Sequence, residues 1–144
     1  MSNLVHVVCP ECDVVNRVLR DRLGAGAKCG KCRAPLFSGA PVSLDERRIA
    51  RHIERSRLPL VVDFWAPWYG PCRMMAPAFE AAAWVLEPQA RLVKVNTEEA
   101  QVTAGRFGIR SIPTLVLFKD GREVTRTTGA MDTDRLVALV RQWL

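Results

Sequence analysis

Apolar and polar residues follow two different periods along most of this chain. Short apolar runs predict strands over residues 58–65, 91–95, 114–118 and 123–127. Between them, apolar residues recur at helical spacing and predict helices over 44–55, 70–86, 98–107 and 133–143. Alternating strands and helices of this kind are typical of an α/β domain, with helices flanking a central sheet.

Local signals refine the ends of these elements. Residues 36–37 are apolar and predict an edge strand. Ser43 and Glu46 have the spacing of a capping box, so Ser43 is expected to cap the helix over 44–55. The pair Asp120-Gly121 predicts a hairpin turn between the last two strands.

The first quarter of the chain has a different composition. It holds two pairs of cysteines and several glycines, with no apolar stripe long enough to build a core. A segment of this kind needs a covalent or metal staple to fold. We therefore expect two domains, a small module over residues 1–35 and an α/β domain over 36–144.

The cysteine spacing indicates what the staple is. Cys9 and Cys12 form one C-x-x-C pair, Cys29 and Cys32 form a second, and 16 residues separate the pairs. This spacing is typical of a structural zinc site in which four thiolates close the coordination shell of one Zn²⁺. Two disulfides, or two redox-active pairs, are the alternatives. His6 lies three residues before the first pair and is a possible competing ligand.

Charge and composition limit the other possibilities. The net charge of +6 is shared equally between residues 1–36 and the remainder, and basic residues are interspersed with acidic ones. Nucleic-acid binding by the basic residues of the module is a remote third alternative, because this excess is modest. No apolar run is long enough to cross a membrane, and the N-terminus has no signal-peptide pattern, so we expect a cytoplasmic protein without a membrane partner.

One run carries the most information about chemistry. Residues 61–72 read Val-Val-Asp-Phe-Trp-Ala-Pro-Trp-Tyr-Gly-Pro-Cys and resemble the active-site segment of thioredoxins. The resemblance extends over about 36–144 and includes Lys94, the run 107–114 and Gly129-Ala130. With the cysteine module included, the chain resembles the zinc-ribbon-bearing thioredoxin 2 subgroup.

This resemblance implies a thioredoxin fold, with a central mixed sheet flanked by helices, and a small N-terminal zinc ribbon. It also implies a protein-disulfide oxidoreductase whose substrates are disulfide-containing proteins and whose reductant is a thioredoxin reductase. The family's buried acid matches Asp63, and its resolving cysteine matches Cys72. A simple ion pair between Asp63 and Lys94 is the alternative to a role in proton transfer.

Further matches concern substrate binding. Pro113 matches the family's cis-proline, whose loop faces an extended substrate, and Ile112 precedes it. Trp68, Gly70 and Pro71 flank the reactive position and complete the expected substrate-binding set. A trans proline starting an ordinary strand is the alternative for Pro113. The other tryptophans, at positions 65, 84 and 143, are expected in core or interface packing.

The match fails at one decisive position. Tyr69 stands where thioredoxins have the attacking cysteine, and a phenol has no sulfur with which to form a disulfide. We therefore expect an oxidoreductase of the thioredoxin type with impaired turnover. A redox-inactive module that binds peptides or proteins is the alternative, and the sequence alone does not separate the two.

Overall fold

The computed structural model describes residues 3–144, so Met1 and Ser2 of the predicted module lie outside the described residues. The N-terminal part is a two-stranded antiparallel sheet of β1 (Leu4–Val8) and β2 (Val15–Leu19). A single 3₁₀ turn at Arg20–Arg22 follows. The two cysteine-bearing loops come after β1 and after this turn.

The larger part is built on a five-stranded mixed sheet. Its strands are β3 (Val42–Ser43), β4 (Leu60–Trp65), β5 (Arg91–Asn96), β6 (Thr114–Lys119) and β7 (Arg122–Thr128). Their spatial order is β3-β5-β4-β6-β7. Strand β5 runs parallel to β3 and β4, whereas β6 runs antiparallel to β4 and β7. The predicted mixed sheet is confirmed.

Four helices cover the sheet, namely α1 (Glu46–Arg55), α2 (Gly70–Leu86), α3 (Gln101–Arg106) and α4 (Thr133–Arg141). Successive residues of β4 face opposite sides of the sheet. Val61 joins the apolar cluster under α2 and α4, and Val62 joins the cluster that includes Ile49 of α1. The structure thus has the helix-covered sheet predicted from the sequence. No helix between residues 3 and 144 has the length and apolar character to cross a membrane.

Two local predictions are wrong. The edge strand is Val42–Ser43, which pairs with β5, and not residues 36–37. Leu36 is fully buried among residues of the N-terminal part, and its amide donates to the Ala27 carbonyl. Leu36 therefore belongs to the core of the N-terminal part and not to an edge strand of the large sheet.

The helix cap is also misplaced in the sequence prediction. Ser43 pairs with Lys94 in the sheet, and Asp45 caps α1 by accepting a hydrogen bond from the Arg48 amide. Glu46 turns to another helix instead, where its carboxylate accepts hydrogen bonds from the amides of Val102 and Thr103. Glu46 therefore ties α1 to the start of α3.

The N-terminal part has a small core that it shares with the larger domain. Val5, Val7 and Leu23 pack with Leu58, which precedes β4. Beside this core, the Asp13 carboxylate accepts hydrogen bonds from Arg48 of α1. The two parts therefore meet through both apolar and ionic contacts.

Candidate active site and metal site

Sheet topology brings two loops to the same edge of the sheet. Strand β4 ends at Trp65 and leads into α2, while β6 begins at Thr114. Because β6 runs antiparallel to β4 with Thr114 opposite Phe64, the start of β6 lies beside the end of β4. The predicted substrate residues Ile112 and Pro113 therefore lie at the same edge as the segment 65–72.

Tyr69 occupies the N-cap position of α2. Its backbone is extended and its side chain forms no capping hydrogen bond. Gly70 and Pro71 follow as the first helical residues, where proline is well tolerated because the first helical amides lack partners within the helix. The phenol is 37% exposed. Tyr69 is thus placed where a side chain has access both to solvent and to the helix terminus.

Trp68 and Tyr69 form an exposed aromatic pair. Their rings meet edge to face with centroids 5.6 Å apart, and Trp68 is 63% exposed. The indole Nε1 donates to Glu98, which follows β5. Sequence reasoning missed Glu98. The only available signal was that β5 and β4 are adjacent parallel strands, whose carboxyl ends share one edge.

Cys72 lies one turn into α2 and is buried. Burial raises the pKa of its thiol, and the negative charge of Asp63 raises this pKa further. A raised pKa leaves less thiolate at neutral pH, and the thiolate is the reactive form of cysteine. Cys72 is therefore protected from reaction both by its burial and by its raised pKa.

Asp63 is a buried acid on β4. Burial raises its pKa to about 7, against the opposing effect of the Lys94 charge. Its Oδ1 atom has no hydrogen-bond partner among the described residues. Lys94 lies opposite Asp63 in the β4–β5 register, but its Nζ atom sits 4.2 Å from the centroid of the Trp65 ring. The arrangement does not show the simple ion pair weighed for Asp63 and leaves a carboxyl group that titrates near neutrality.

The Pro113 loop has the predicted backbone geometry. The Ile112–Pro113 peptide bond is cis, and Pro113 is buried while Ile112 is partly exposed. The Pro113 carbonyl accepts a hydrogen bond from the Gly129 amide at the end of β7. The loop is thus fixed to the sheet on the side away from β4.

The three remaining tryptophans are placed differently from one another. Trp65 and Trp143 are partly buried, and Trp143 packs against the cluster under α2 and α4. Trp84 is 76% exposed, so a place in the core is wrong for it. Its indole lies against the backbone of Gly39, where an added Cβ would come within 2.6 Å of the ring. The glycine allows the indole to approach this closely.

The four cysteines of the N-terminal part converge on one point. Their Sγ atoms all lie within 4.8 Å of one another, with 3.6 Å between Cys9 and Cys32 and between Cys12 and Cys29. A tetrahedron with metal–sulfur bonds of about 2.3 Å has edges of about 3.8 Å. The spacing and the all-sulfur donor set therefore fit a tetrahedral ion such as Zn²⁺.

Backbone amides donate hydrogen bonds to two of the cluster sulfurs and so stabilise negative charge on them. The amides of Glu11 and Cys12 donate to the Cys9 sulfur, and those of Lys31 and Cys32 donate to the Cys29 sulfur. The donors from Cys32 and Lys31 help lower the pKa of Cys29 to about 6. His6 is exposed on β1 and is not part of the group. The four cysteines therefore offer four ligand atoms to a metal ion.

Comparisons with known proteins agree with this geometry. The Thioredoxin family model matches residues 40–142, and a zinc-ribbon model described as Thioredoxin 2, N-terminal, matches residues 8–34. Thioredoxin C-3 of Corynebacterium nephridii is 39% identical over 138 residues, which cover 96% of this chain and 92% of that protein. Thioredoxin 1 of Synechococcus elongatus is 49% identical over 81 residues, which cover 56% of this chain and 76% of that protein.

A solved structure is similar as well. A mutant thioredoxin from Halobacterium salinarum matches with a TM-score of 0.67 and 30% identity, over 74% of this chain and 93% of that one. The larger domain therefore has the thioredoxin fold, and a zinc-ribbon module precedes it. On the matches of both family models and of a relative that spans nearly the whole chain, this protein belongs to the thioredoxin family of thiol-disulfide oxidoreductases.

Proposed function

We propose that this protein is a thioredoxin-type protein-disulfide oxidoreductase whose turnover is impaired because Tyr69 replaces the attacking cysteine. The observation that carries the proposal is the position of Tyr69 at the N-cap of α2, three residues before a buried cysteine. Disulfide-containing proteins are the proposed partners, and a thioredoxin reductase is the proposed electron donor. The cytoplasm is the proposed location.

The chemistry explains why one residue matters so much. In a dithiol cycle, a thiolate attacks one sulfur of the substrate disulfide, forms a mixed disulfide and expels the other substrate sulfur as a thiolate. A second thiol then loses its proton and attacks the first protein sulfur, which expels the remaining substrate thiolate and leaves an internal disulfide. Cys72 is the only cysteine outside the four-cysteine cluster, so this chain has no second sulfur for that step.

The surrounding residues retain roles that do not require turnover. We propose that Trp68, Gly70, Pro71, Ile112 and Pro113 bind a substrate segment across the edge of the sheet. Cys72 would then form at most a single mixed disulfide, and Asp63 would accept or return the proton of its thiol. The pKa of Asp63, raised to about 7 by burial, suits proton exchange near neutral pH.

The same site also supports a second candidate, a redox-inactive module that binds proteins. The exposed Trp68–Tyr69 pair favours it, because large aromatic side chains are common anchors of protein interfaces. The two candidates differ in one measurable respect. The impaired oxidoreductase should form a mixed disulfide between Cys72 and a client, which Cys72→Ser abolishes. The module should form no mixed disulfide, and its affinity for client segments should survive Cys72→Ser and fall with Trp68→Ala.

We also propose that Cys9, Cys12, Cys29 and Cys32 hold one structural Zn²⁺. Four thiolates close the coordination shell, so the ion would stabilise the fold of residues 1–35 rather than act on substrate. Metal analysis of the purified chain should give one zinc per molecule. Five freely reactive thiols in metal-replete protein would contradict the assignment.

The proposed function is tested by restoring the missing sulfur. The unmodified chain, Tyr69→Cys and Tyr69→Ser should be compared for insulin disulfide reduction with dithiothreitol as the reductant. We expect turnover only in Tyr69→Cys, and its loss when Cys72→Ser is added. Tyr69→Ser controls for the loss of the aromatic ring. Comparable turnover by the unmodified chain would contradict the proposal, and its loss on metal removal would assign the chemistry to the N-terminal cysteines.

A further inference from the structure

Arg91 is a buried cation with incomplete pairing. It begins β5, and its side chain is 3% exposed. Its Nη1 atom lies 3.5 Å from the Glu87 carboxylate, at the outer limit of a hydrogen bond, and its Nη2 atom has no hydrogen-bond partner among the described residues. Burying an incompletely paired charge is costly, so a further anionic neighbour would stabilise Arg91.

The surroundings of Arg91 place it against the cysteine module. Its guanidinium stacks on the ring of Phe37, with 4.6 Å from Cζ to the ring centroid. Phe37 in turn packs against the small core that contains Cys9 and Leu58. The Arg91 amide donates to the carbonyl of Pro59, the residue after Leu58. Side chain and backbone thus both hold Arg91 beside the module.

Cys9 belongs to the buried core that Phe37 packs against, so this cluster ligand and the Arg91 guanidinium border the same core. Burial lowers the pKa of the guanidinium, and the neighbouring Glu87 and Cys9 raise it. Cys9 is the least exposed of the four cysteines. It is buried, so a protein cation can compensate its charge in addition to the two backbone amides that donate to its sulfur.

Four thiolates around one divalent ion carry a net charge of about −2. We propose that Arg91 of the thioredoxin domain supplies the buried counter-charge of this metal–thiolate cluster and thereby slows the loss of metal. The metal site is then not confined to the zinc-ribbon module, because the adjacent domain completes its electrostatics. This inference rests on the proposed zinc site, and its test separates the two.

Glu87 provides the matched comparison. If Arg91 serves only to neutralise Glu87, then removing either charge should break the same ion pair and change the rate of zinc release in the same direction. If Arg91 serves the cluster, the two changes should act in opposite directions. Loss of Arg91 removes a cation from the thiolates, whereas Glu87→Gln removes an anion that competes for it. The glutamine keeps an oxygen to accept the hydrogen bond that Glu87 receives from the Gly39 amide.

The experiment measures zinc release from the full-length chain to a chromophoric chelator at fixed pH. Arg91→Met preserves much of the side-chain length, and Arg91→Lys preserves the charge. We expect Arg91→Met to release zinc about 10-fold faster or more, as is usual when a group around the ligand shell is lost. Arg91→Lys should restore most of the slow release. Glu87→Gln should slow release by about threefold or more.

Zinc content of the unmodified chain is measured first, so that absence of zinc contradicts the proposed metal site and not the role of Arg91. With zinc present, equal release rates in Arg91→Met and the unmodified chain would overturn the inference. Faster release in Glu87→Gln would overturn it too, because that result indicates a purely structural ion pair. The Glu87→Gln test leaves Arg91 in place and still decides the question if Arg91→Met does not fold.

Discussion

Asp13 and Arg48 form a bidentate ion pair across the junction between the zinc-ribbon module and the thioredoxin domain. Arg48 Nε lies 2.8 Å from Asp13 Oδ2, and Arg48 Nη2 lies 2.9 Å from Oδ1. The buried His52 adds a third contact to Oδ1 at 2.9 Å. Burial raises the pKa of Asp13, but the hydrogen bonds from Arg48 and His52 outweigh it and leave this pKa below its usual value. The junction therefore depends on the ionised carboxylate.

Arg48→Met should accordingly destabilise the protein by about 1–3 kcal/mol, because it leaves a partly buried carboxylate with one partner fewer. Urea unfolding of the zinc-loaded chain measures the effect. Arg47→Met is the matched control, since Arg47 is the exposed neighbour on the same helix. We expect the control to change the free energy of unfolding by less than about 0.5 kcal/mol. Equal effects of the two substitutions would show that the ion pair does not stabilise the junction.

The raised pKa of Asp63 predicts that the stability of the protein depends on pH. In the unfolded chain this carboxyl ionises near pH 4, whereas in the native state burial raises its pKa to about 7. Ionisation is thus less favourable in the native state. The contribution of this carboxyl group to the free energy of unfolding therefore falls as pH rises from about 4 to about 7, and it stays low above pH 7.

Asp63→Asn removes this titration. The difference in the free energy of unfolding between Asp63→Asn and the unmodified chain isolates the effect from other titrating groups. We expect the variant to gain about 1–4 kcal/mol relative to the unmodified chain on going from pH 4 to pH 8. A difference that stays constant across this range would mean that the carboxyl group is not perturbed.

Cys72 should react slowly in the native protein. It is 2% exposed, and burial raises its pKa, so both access and thiolate content are reduced. We expect alkylation of Cys72 in the zinc-loaded chain to be at least about 10-fold slower than in urea at the same pH. Peptide mass spectrometry separates its label from those of the other cysteines. Equal rates in the two states would show that the native fold does not shield the thiol.

Metal removal should affect the two parts of the protein unequally. All four tryptophans and the single tyrosine lie beyond residue 64, so their fluorescence reports on the thioredoxin domain alone. After chelation we expect four additional reactive thiols, a native-like tryptophan emission and a lower urea midpoint, because Leu58 and Arg48 lose contacts with the module. An unfolded-type emission on chelation would instead show that the domain requires the metal to fold.

The sequence predicts those parts of the structure that local patterns determine. Four of the five strands of the large sheet and helices such as α2 follow from apolar periodicity, and the cysteine cluster follows from two short spacings. The cap of α1 does not, because both Ser43 and Asp45 suit an N-cap and only pairing with β5 assigns Ser43 to a strand.

The contacts that sequence reasoning missed join residues far apart in the chain. Trp68 binds Glu98, Asp13 binds Arg48, and Arg91 lies beside Phe37. Nothing in the local pattern around these residues specifies their partners. The position of Lys94 over Trp65 is of the same kind, because it depends on the register between β4 and β5 and on which way the lysine side chain turns.

Leu36 and Leu58, both buried in the core of the zinc-ribbon module, bear on how this protein can be divided. A fragment that begins at the boundary inferred from the sequence retains both leucines but loses Val5, Val7 and Leu23, the residues that cover them. The fragment would expose a new apolar patch to solvent, and patches of this kind promote self-association. Low solubility of such a fragment would then reflect the cut itself, rather than any defect in the thioredoxin domain.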